Sequence, residues 1–311
     1  MAVGKEILTQ VKSIKSTQKI TRAMEMVAVS KMRKTQQRML SSRPYAQAVR
    51  LMLQHIGQAD TDYKHPYMIS RTPKKIGMLV ISSDRGLSGG LNINLFKAVI
   101  QKMEVLQAEN QAEQNAKKRK TIGYDFSLIG AKAKGFFSYL KANILAVTTH
   151  IGDHPKLESI LGNISVMTQA YADKKIDRLY LAYNAFVSTM SQQPQVIQLL
   201  PLPEKLDGFF ASDIQGKDQS QHLSDRNWDY IYEPNVKVLF DQLVQRYIES
   251  VIYQAVLENH ACEQAARMLA MKSATDNASD LISELEMLYN KTRQAAITQE
   301  ISEIVGGAAA V

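Results

Sequence analysis

The chain has 311 residues, 45% of them hydrophobic, enough for one large or two modest domains with a core. Its formal charge is +8, and its single cysteine, Cys262, excludes a disulfide framework and a cysteine-based zinc site, as suits a reducing compartment. No run of 18 apolar residues is present to span a membrane, and the first residues have neither an apolar leader core nor an Arg/Ser-rich, acid-poor one, so a soluble intracellular protein is expected.

Residues 5–56 contain no Gly, and a first long helix is predicted over about 3–56. Its apolar and small positions Ile7, Val11, Ile14, Thr17, Thr21, Met24, Ala28, Met32, Thr35 and Met39 step by threes and fours, averaging close to 3.5. That period marks a coiled-coil seam rather than an ordinary amphipathic stripe. Pro44 removes a backbone bond at a cost of roughly 3 kcal/mol and predicts a kink or local break. Residues 1–57 hold 11 Lys/Arg against Glu6 and Glu25, a net of +9 that leaves about −1 for all the rest. Such a helix suits nucleic acid, an acidic membrane face or an acidic protein surface, or is simply a solvated basic face.

From about 74 to 202 the pattern changes. Residues 76–82 form a short apolar run ending in a polar, Gly-rich turn, which reads as a buried strand. A helix at 93–108 follows, then a polar stretch at 109–120 (ENQAEQNAKKRK) that reads as an exposed extension or insertion. Next come a strand at 125–129, a helix at 131–140, a strand at 144–148, a helix at 156–172 and strands at 178–184 and 195–200. Alternating strands and helices predict an α/β sheet, largely parallel, with an antiparallel last pair. Residues 203–229, rich in Gly, Asp, Gln and Ser, read as a loop.

From Asn235 to Val305 there are 71 residues without Gly or Pro. As one helix they would be about 107 Å long at ~1.5 Å per residue, against a diameter of about 50 Å for a compact globule of this size, so part of the helix should protrude. Its seam runs Ala261, Ala265, Met268, Met271, Thr275, Ala278, Ile282, Leu285, Tyr289, again near 3.5 per step. The two terminal helices are the only partners long enough for each other. An antiparallel coiled coil around an inserted domain is predicted, loosened by its Ala, Thr and Met positions, with the end of the C-terminal helix extending alone.

Catalytic chemistry is not legible. The turn at 82–92 (SSDRGLSGGLN) sits where phosphate loops sit, but it matches neither GxxxxGK[ST] nor GxGxxG and has no Lys placed to reach a phosphate, so a structural turn or a partner surface competes with a nucleotide site. His150 and His154 are four apart, but Gly152 and Pro155 argue against a helix presenting both to a metal. Cys262 reads as a small packing residue. The end, 304–311 (IVGGAAAV), reads either as a frayed tail or as an apolar, smooth tip for a hydrophobic sleeve.

Three stretches are more specific. Residues 20–31 (ITRAMEMVAVSK), 83–92 (SDRGLSGGLN) and 263–278 (EQAARMLAMKSATDNA), the last continued by 289–305 (YNKTRQAAITQEISEIV), resemble in order the γ subunits of F-type ATP synthases, and the resemblance covers essentially the whole chain. It implies two terminal helices in an antiparallel coiled coil plus an α/β, Rossmann-like domain: an N-terminal helix at 1–57, the α/β domain at 74–202, a loop and foot at 203–233 and the C-terminal helix and tip at 234–311. It implies a rotor shaft, the central stalk, coupling proton-driven rotation of a c-ring to conformational cycling of three catalytic β sites in an α3β3 hexamer. The chain itself would be non-catalytic and need no cofactor or metal. Its partners would be the α, β and ε subunits and the c-ring, with no nucleic acid and no transmembrane segment.

By motif, Arg293, Gln294, Thr298 and Glu300 would meet β-subunit catch loops, while Met24, Lys31 and Arg33 would face acidic lever segments of β. Arg267 and Met24 would lie on the stretch used in energy coupling. Tyr230, Tyr232 and Glu233, in 228–234 (WDYIYEP), would form the foot on the c-ring and ε subunit. Ser88 stands where many bacterial relatives have Cys. The extra residues at about 108–120 and 208–226 carry no Cys, which excludes redox control through a regulatory pair there. A bacterial protein, peripheral on the cytoplasmic side of the inner membrane, is expected. The competing reading is a non-rotary coiled-coil scaffold.

Overall fold

A computed structural model describes residues 2–58, 65–113, 121–202 and 236–308. The foot residues Tyr230, Tyr232 and Glu233, the extra segment 208–226 and part of the polar stretch, 114–120, lie outside them. Two very long helices, α1 (Ala2–Gln58) and α5 (Val236–Ala308), bracket the chain. Between them lie β1 (Lys75–Ile81), α2 (Leu91–Glu113), β2 (Gly123–Ile129), α3 (Ala131–Tyr139), β3 (Asn143–Thr148), α4 (Leu157–Ala172), β4 (Arg178–Phe186) and β5 (Gln192–Leu200). Two compact units result: residues 1–30 with 267–311, and residues 31–266.

The larger unit is an α/β body. Its sheet has the order β3-β2-β1-β4-β5, parallel throughout except for the antiparallel β4–β5 pair. β1 and β4 are nearly continuous apolar runs because both faces of the sheet are covered. Alternation sorts their side chains. Leu79, Ile81, Leu181 and Tyr183 enter a core shared with α4, α5 and the Val49–Leu53 end of α1. Met78, Val80, Tyr180 and Ala182 enter a second core under α2 and α3. Gly77 leaves room for its neighbours: a Cβ there would stand 2.6 Å from Met167 Cε and 2.8 Å from Ile176 Cδ1, so both side-chain ends would have to shift. Pro194 lies in β5, an edge strand, where a missing N–H is tolerated.

Two sequence expectations are corrected in this unit. The break at Pro44 does not occur, since α1 runs through it. Met39 and Val49 are buried on either side, and the hydroxyls of Ser41 and Ser42 donate to the Arg38 and Met39 carbonyls, so tertiary packing outweighs the local cost of the proline. The polar stretch after 108 is not wholly an exposed extension either, because α2 continues to Glu113 with Asn110 buried.

The smaller unit is an antiparallel pair made from the start of α1 and the latter part of α5. Lys15 pairs with Glu286 at 2.7 Å, Gln18 Nε2 donates to Ser279 Oγ at 2.7 Å, and the Thr21 and Thr275 hydroxyls are 2.8 Å apart, so the α5 number falls as the α1 number rises. Ile7, Val11 and Ile282 form its buried apolar cluster, with Ile14, Leu285 and Tyr289 packed against them. The seam is predominantly as expected, with one shift: Thr17 is exposed, and Gln18 takes the inner position. A strict four–three alternation from Val11 and Ile14 leads to 18 and 21, and a long amide at 18 reaches the Ser279 hydroxyl where a threonine at 17 would point outward.

Candidate functional site

The carboxyl ends of β1, β2 and β3 meet at the place where open α/β sheets bind ligands. Here the loops bind each other. Asp84 Oδ1 accepts the N–H of Ala131, the first residue of α3, at 2.9 Å, and its Oδ2 accepts the Ile151 N–H at 3.0 Å. A carboxylate at a helix N-terminus supplies the negative charge that a phosphate supplies in nucleotide-binding folds. Gly130 makes this turn possible: it has φ 102°, and a Cβ on it would overlap the Ser82 carbonyl.

Ser83 and Asn92 of the Gly-rich turn are engaged with each other. Asn92 Oδ1 accepts from Ser83 N at 3.2 Å while its Nδ2 donates to Ser83 Oγ at 2.8 Å, and Ser83 Oγ donates to the Arg85 carbonyl at 2.8 Å. A cavity of about 60 Å³ remains, lined by Asp84, Arg85, Asp153 and, from α5, Asn259, His260 and Glu263. The turn is therefore a structural junction between loops. His150 and His154 are both exposed, and among the described residues no three His, Cys, Asp or Glu side chains converge as metal ligands. Cys262 is buried beside Glu258, and burial pushes its thiol well above the ordinary range, so it stays a protonated packing group.

The residues singled out by motif fall into distinct settings. Lys31 is engaged within its own unit: its Nζ lies 2.6 Å from Asp153 Oδ2, and Arg38 Nη1 donates to the Asp153 carbonyl at 3.2 Å. The Lys31 hydrogen bond, with Arg85 adding, holds the Asp153 carboxyl below its usual range. Part of the positive excess of α1 is thus balanced inside the α/β body. Arg33 is exposed, and Met24 and Arg267 are half-buried.

Arg293, Gln294, Thr298 and Glu300 are all exposed on the last stretch of α5. Thr298 Oγ1 donates to the Gln294 carbonyl at 2.9 Å, and the seven-residue spacing of Arg293 and Glu300 sets them on one helix face two turns apart. Residues 297–306 are exposed on every side, including Ile297, Ile301, Ile304 and Val305. Four apolar residues at i, i+4, i+7 and i+8 in solvent form a stripe with no partner in the chain's described residues, the pattern of a helix that docks elsewhere.

Sequence reasoning missed Asn184, Asn259 and Asp84. The available signals were an Asn inside an otherwise apolar strand pattern and an Asp early in the Gly-rich turn.

A family described as ATP synthase matches residues 4–311. Two curated relatives, each an "ATP synthase gamma chain", are 52% identical over all 311 residues and over their own full length; they come from Psychrobacter cryohalolentis and Psychrobacter arcticus. In fold the chain is similar to chains of the Euglena gracilis mitochondrial ATP synthase. One is in its rotor structure in rotational state 1 (TM-score 0.63, 17% identity, 95% of this chain and 99% of that one). Another is in its OSCP/F1/c-ring structure in rotational state 3 (TM-score 0.67, 19% identity, 99% and 94%).

Proposed function

Because this chain belongs to the ATP synthase γ chain family, we propose that it is the rotor shaft of an F1Fo ATP synthase, coupling proton-driven rotation to the conformational cycling of catalytic sites on other subunits. The observation that carries this reading is the end of α5, a bare helix continuing past an antiparallel two-helix stem with an exposed apolar stripe and exposed Arg293, Gln294, Thr298 and Glu300. A stripe without deep knobs can turn inside an apolar sleeve, and the charged and amide side chains beside it can form and release hydrogen bonds at each step. The β subunits of an α3β3 hexamer would receive them, with Met24 and Arg267 acting from the stem and Lys31 and Arg33 from the α/β body. Lys31 would act there while held by Asp153.

The Asp84-capped turn supports a non-catalytic role, since the ligand crevice of the fold is taken up by the chain's own carboxylate. Tyr230, Tyr232 and Glu233 would meet the ε subunit and the c-ring. None of the described helices is long and apolar enough to cross a membrane, so membrane association would be peripheral, through Fo, at the cytoplasmic face of a bacterial inner membrane. The test is ATP hydrolysis by purified α and β subunits with and without this chain. Strong stimulation with co-elution as a 3:3:1 complex is expected; co-elution without stimulation would leave only a scaffold.

A further inference from the structure

Where α5 crosses the carboxyl end of β4, inside the α/β body, the contact changes from apolar to polar. Asn184 of β4 is 1% exposed and Asn259 of α5 is 3% exposed. Asn184 Nδ2 donates to Asn259 Oδ1 at 2.9 Å, and the Asn184 backbone N–H reaches the same oxygen at 3.4 Å. Three residues further along the helix, Cys262 Sγ donates to the Asn184 carbonyl at 3.3 Å. One strand residue is thereby held through its N–H, its carbonyl and its side chain by two residues on one face of α5.

Further back along α5, Tyr247, Val251 and Ile252 interlock in the main core, but at this strand end the apolar contact is small. Ala261 and Ala266 pack with Phe186 in a small-residue surface against the strand end. Apolar contact of that kind is non-directional and tolerates a helix rolling or sliding by a fraction of a turn. The asparagine contact does not. A shift of one residue moves a helix side chain by about 100° and ~1.5 Å, which breaks all three bonds and strands the buried amides without partners. Buried polar pairs of this type are the best-attested means of fixing register between packed elements.

Resting on the shaft reading, we propose that Asn184 and Asn259 form a torsional pin that locks α5 to the α/β body, so that a twisting load carried by the helix turns the body with it. Both are positioning residues. Cys262 adds a third bond to the same strand residue, through its carbonyl.

The test uses the whole membrane complex carrying the double variant Asn184→Leu/Asn259→Leu, which removes both side-chain amides together, with Asn259→Ala, which strands the Asn184 amide, as the second variant. Two quantities are read: ATP hydrolysis, and ATP-driven proton uptake into vesicles per ATP hydrolysed. Hydrolysis is expected to stay within about twofold of the unaltered complex, while proton uptake per ATP falls about fivefold, the change one lost buried hydrogen bond makes in a two-state equilibrium. Unchanged uptake per ATP in both variants would overturn the pin. So would a parallel loss of hydrolysis, uptake and assembly in both, since the pair would then only hold the fold. Failure of the unaltered chain to stimulate α and β subunits would instead overturn the shaft reading itself, and it would be seen before any variant is made.

Discussion

Thr21 and Thr275 face each other across the helical stem with their hydroxyl oxygens 2.8 Å apart, and each hydroxyl also reaches a carbonyl of its own helix, Gln18 at 3.0 Å and Met271 at 2.8 Å. With Gln18 and Ser279 one turn away, this makes a polar section in a seam that is apolar at Ile7, Val11 and Ile282. Polar seam positions fix register at a cost in stability. Replacing both partners by apolar groups of the same shape removes the desolvation cost without stranding a donor. The double variant Thr21→Val/Thr275→Val is therefore expected to be more stable than the natural chain by about 1 kcal/mol, measured as a rise in denaturant midpoint at constant slope. A lower midpoint would mean that the hydroxyl pair contributes net stability.

The exposed end of α5 gives a prediction about rate. Arg293→Ala with Gln294→Ala removes hydrogen-bonding groups that have no packing role, so assembly with α and β subunits should be retained while ATP turnover falls about tenfold, the loss of one charge-assisted bond from the rate-limiting step. Equal turnover in the two complexes would remove these residues from the mechanism. Removing 304–311 should weaken assembly only modestly if the tip is a passive bearing, and gel filtration of the mixed subunits would show it.

His65 gives a prediction about pH. Its Nδ1 accepts the Tyr67 N–H at 3.0 Å and its Nε2 lies 3.2 Å from Asp241 Oδ1, an arrangement that the neutral ring with its proton on Nε2 satisfies on both sides. Burial holds its pKa below the ordinary 6.5, with Asp241 pulling the other way. The unfolded chain therefore takes up the proton first as pH falls. The stability contributed by neutral His65 is complete above its unfolded value and declines as pH drops from there through the folded value. Thermal unfolding should show a lower midpoint at about pH 5 than at about pH 7.5, and the part of that difference due to this ring should vanish in His65→Gln. An unchanged difference in the variant would assign the pH response to other groups.

Gly130 gives a prediction about the loop junction. With φ at 102° and the Ser82 carbonyl where a side chain would go, Gly130→Ala combines backbone strain with an overlap that rigid strand backbone cannot relieve. A loss of about 3 kcal/mol is expected by chemical denaturation, against a gain of up to about 1 kcal/mol for Gly135→Ala, an exposed position inside α3 whose Cβ would meet nothing within 4 Å.

Much of this architecture is legible in the chain because the signals are long and periodic. The 71 residues from Asn235 to Val305 without Gly or Pro, and the short apolar runs of β1 and β4, fix helix and strand before any tertiary contact is considered. What sequence reading misplaces is decided by long-range contact. Thr17 looks like a better seam residue than Gln18 until Ser279 is opposite, and Pro44 looks like a local break in the helix until Met39 and Val49 are buried around it. The site was partly legible. The motif singles out Arg293, Gln294, Thr298 and Glu300, all exposed on one stretch of α5, but Lys31 gives no sequence sign that it belongs to Asp153, 122 residues away. Asp84 could not be told from any acidic turn residue without knowing that α3 begins beside it.

The Asp84 carboxylate also settles a competition. A free phosphate approaching the N-terminus of α3 would have to displace an anion that the fold already holds there, from a turn 47 residues earlier in the same chain. That anion is always present, whatever the nucleotide level around it. A body built on this plan thus carries its own anion at the helix end where a nucleotide phosphate would lie, and on the shaft reading this chain would register ATP through the shapes its neighbours adopt.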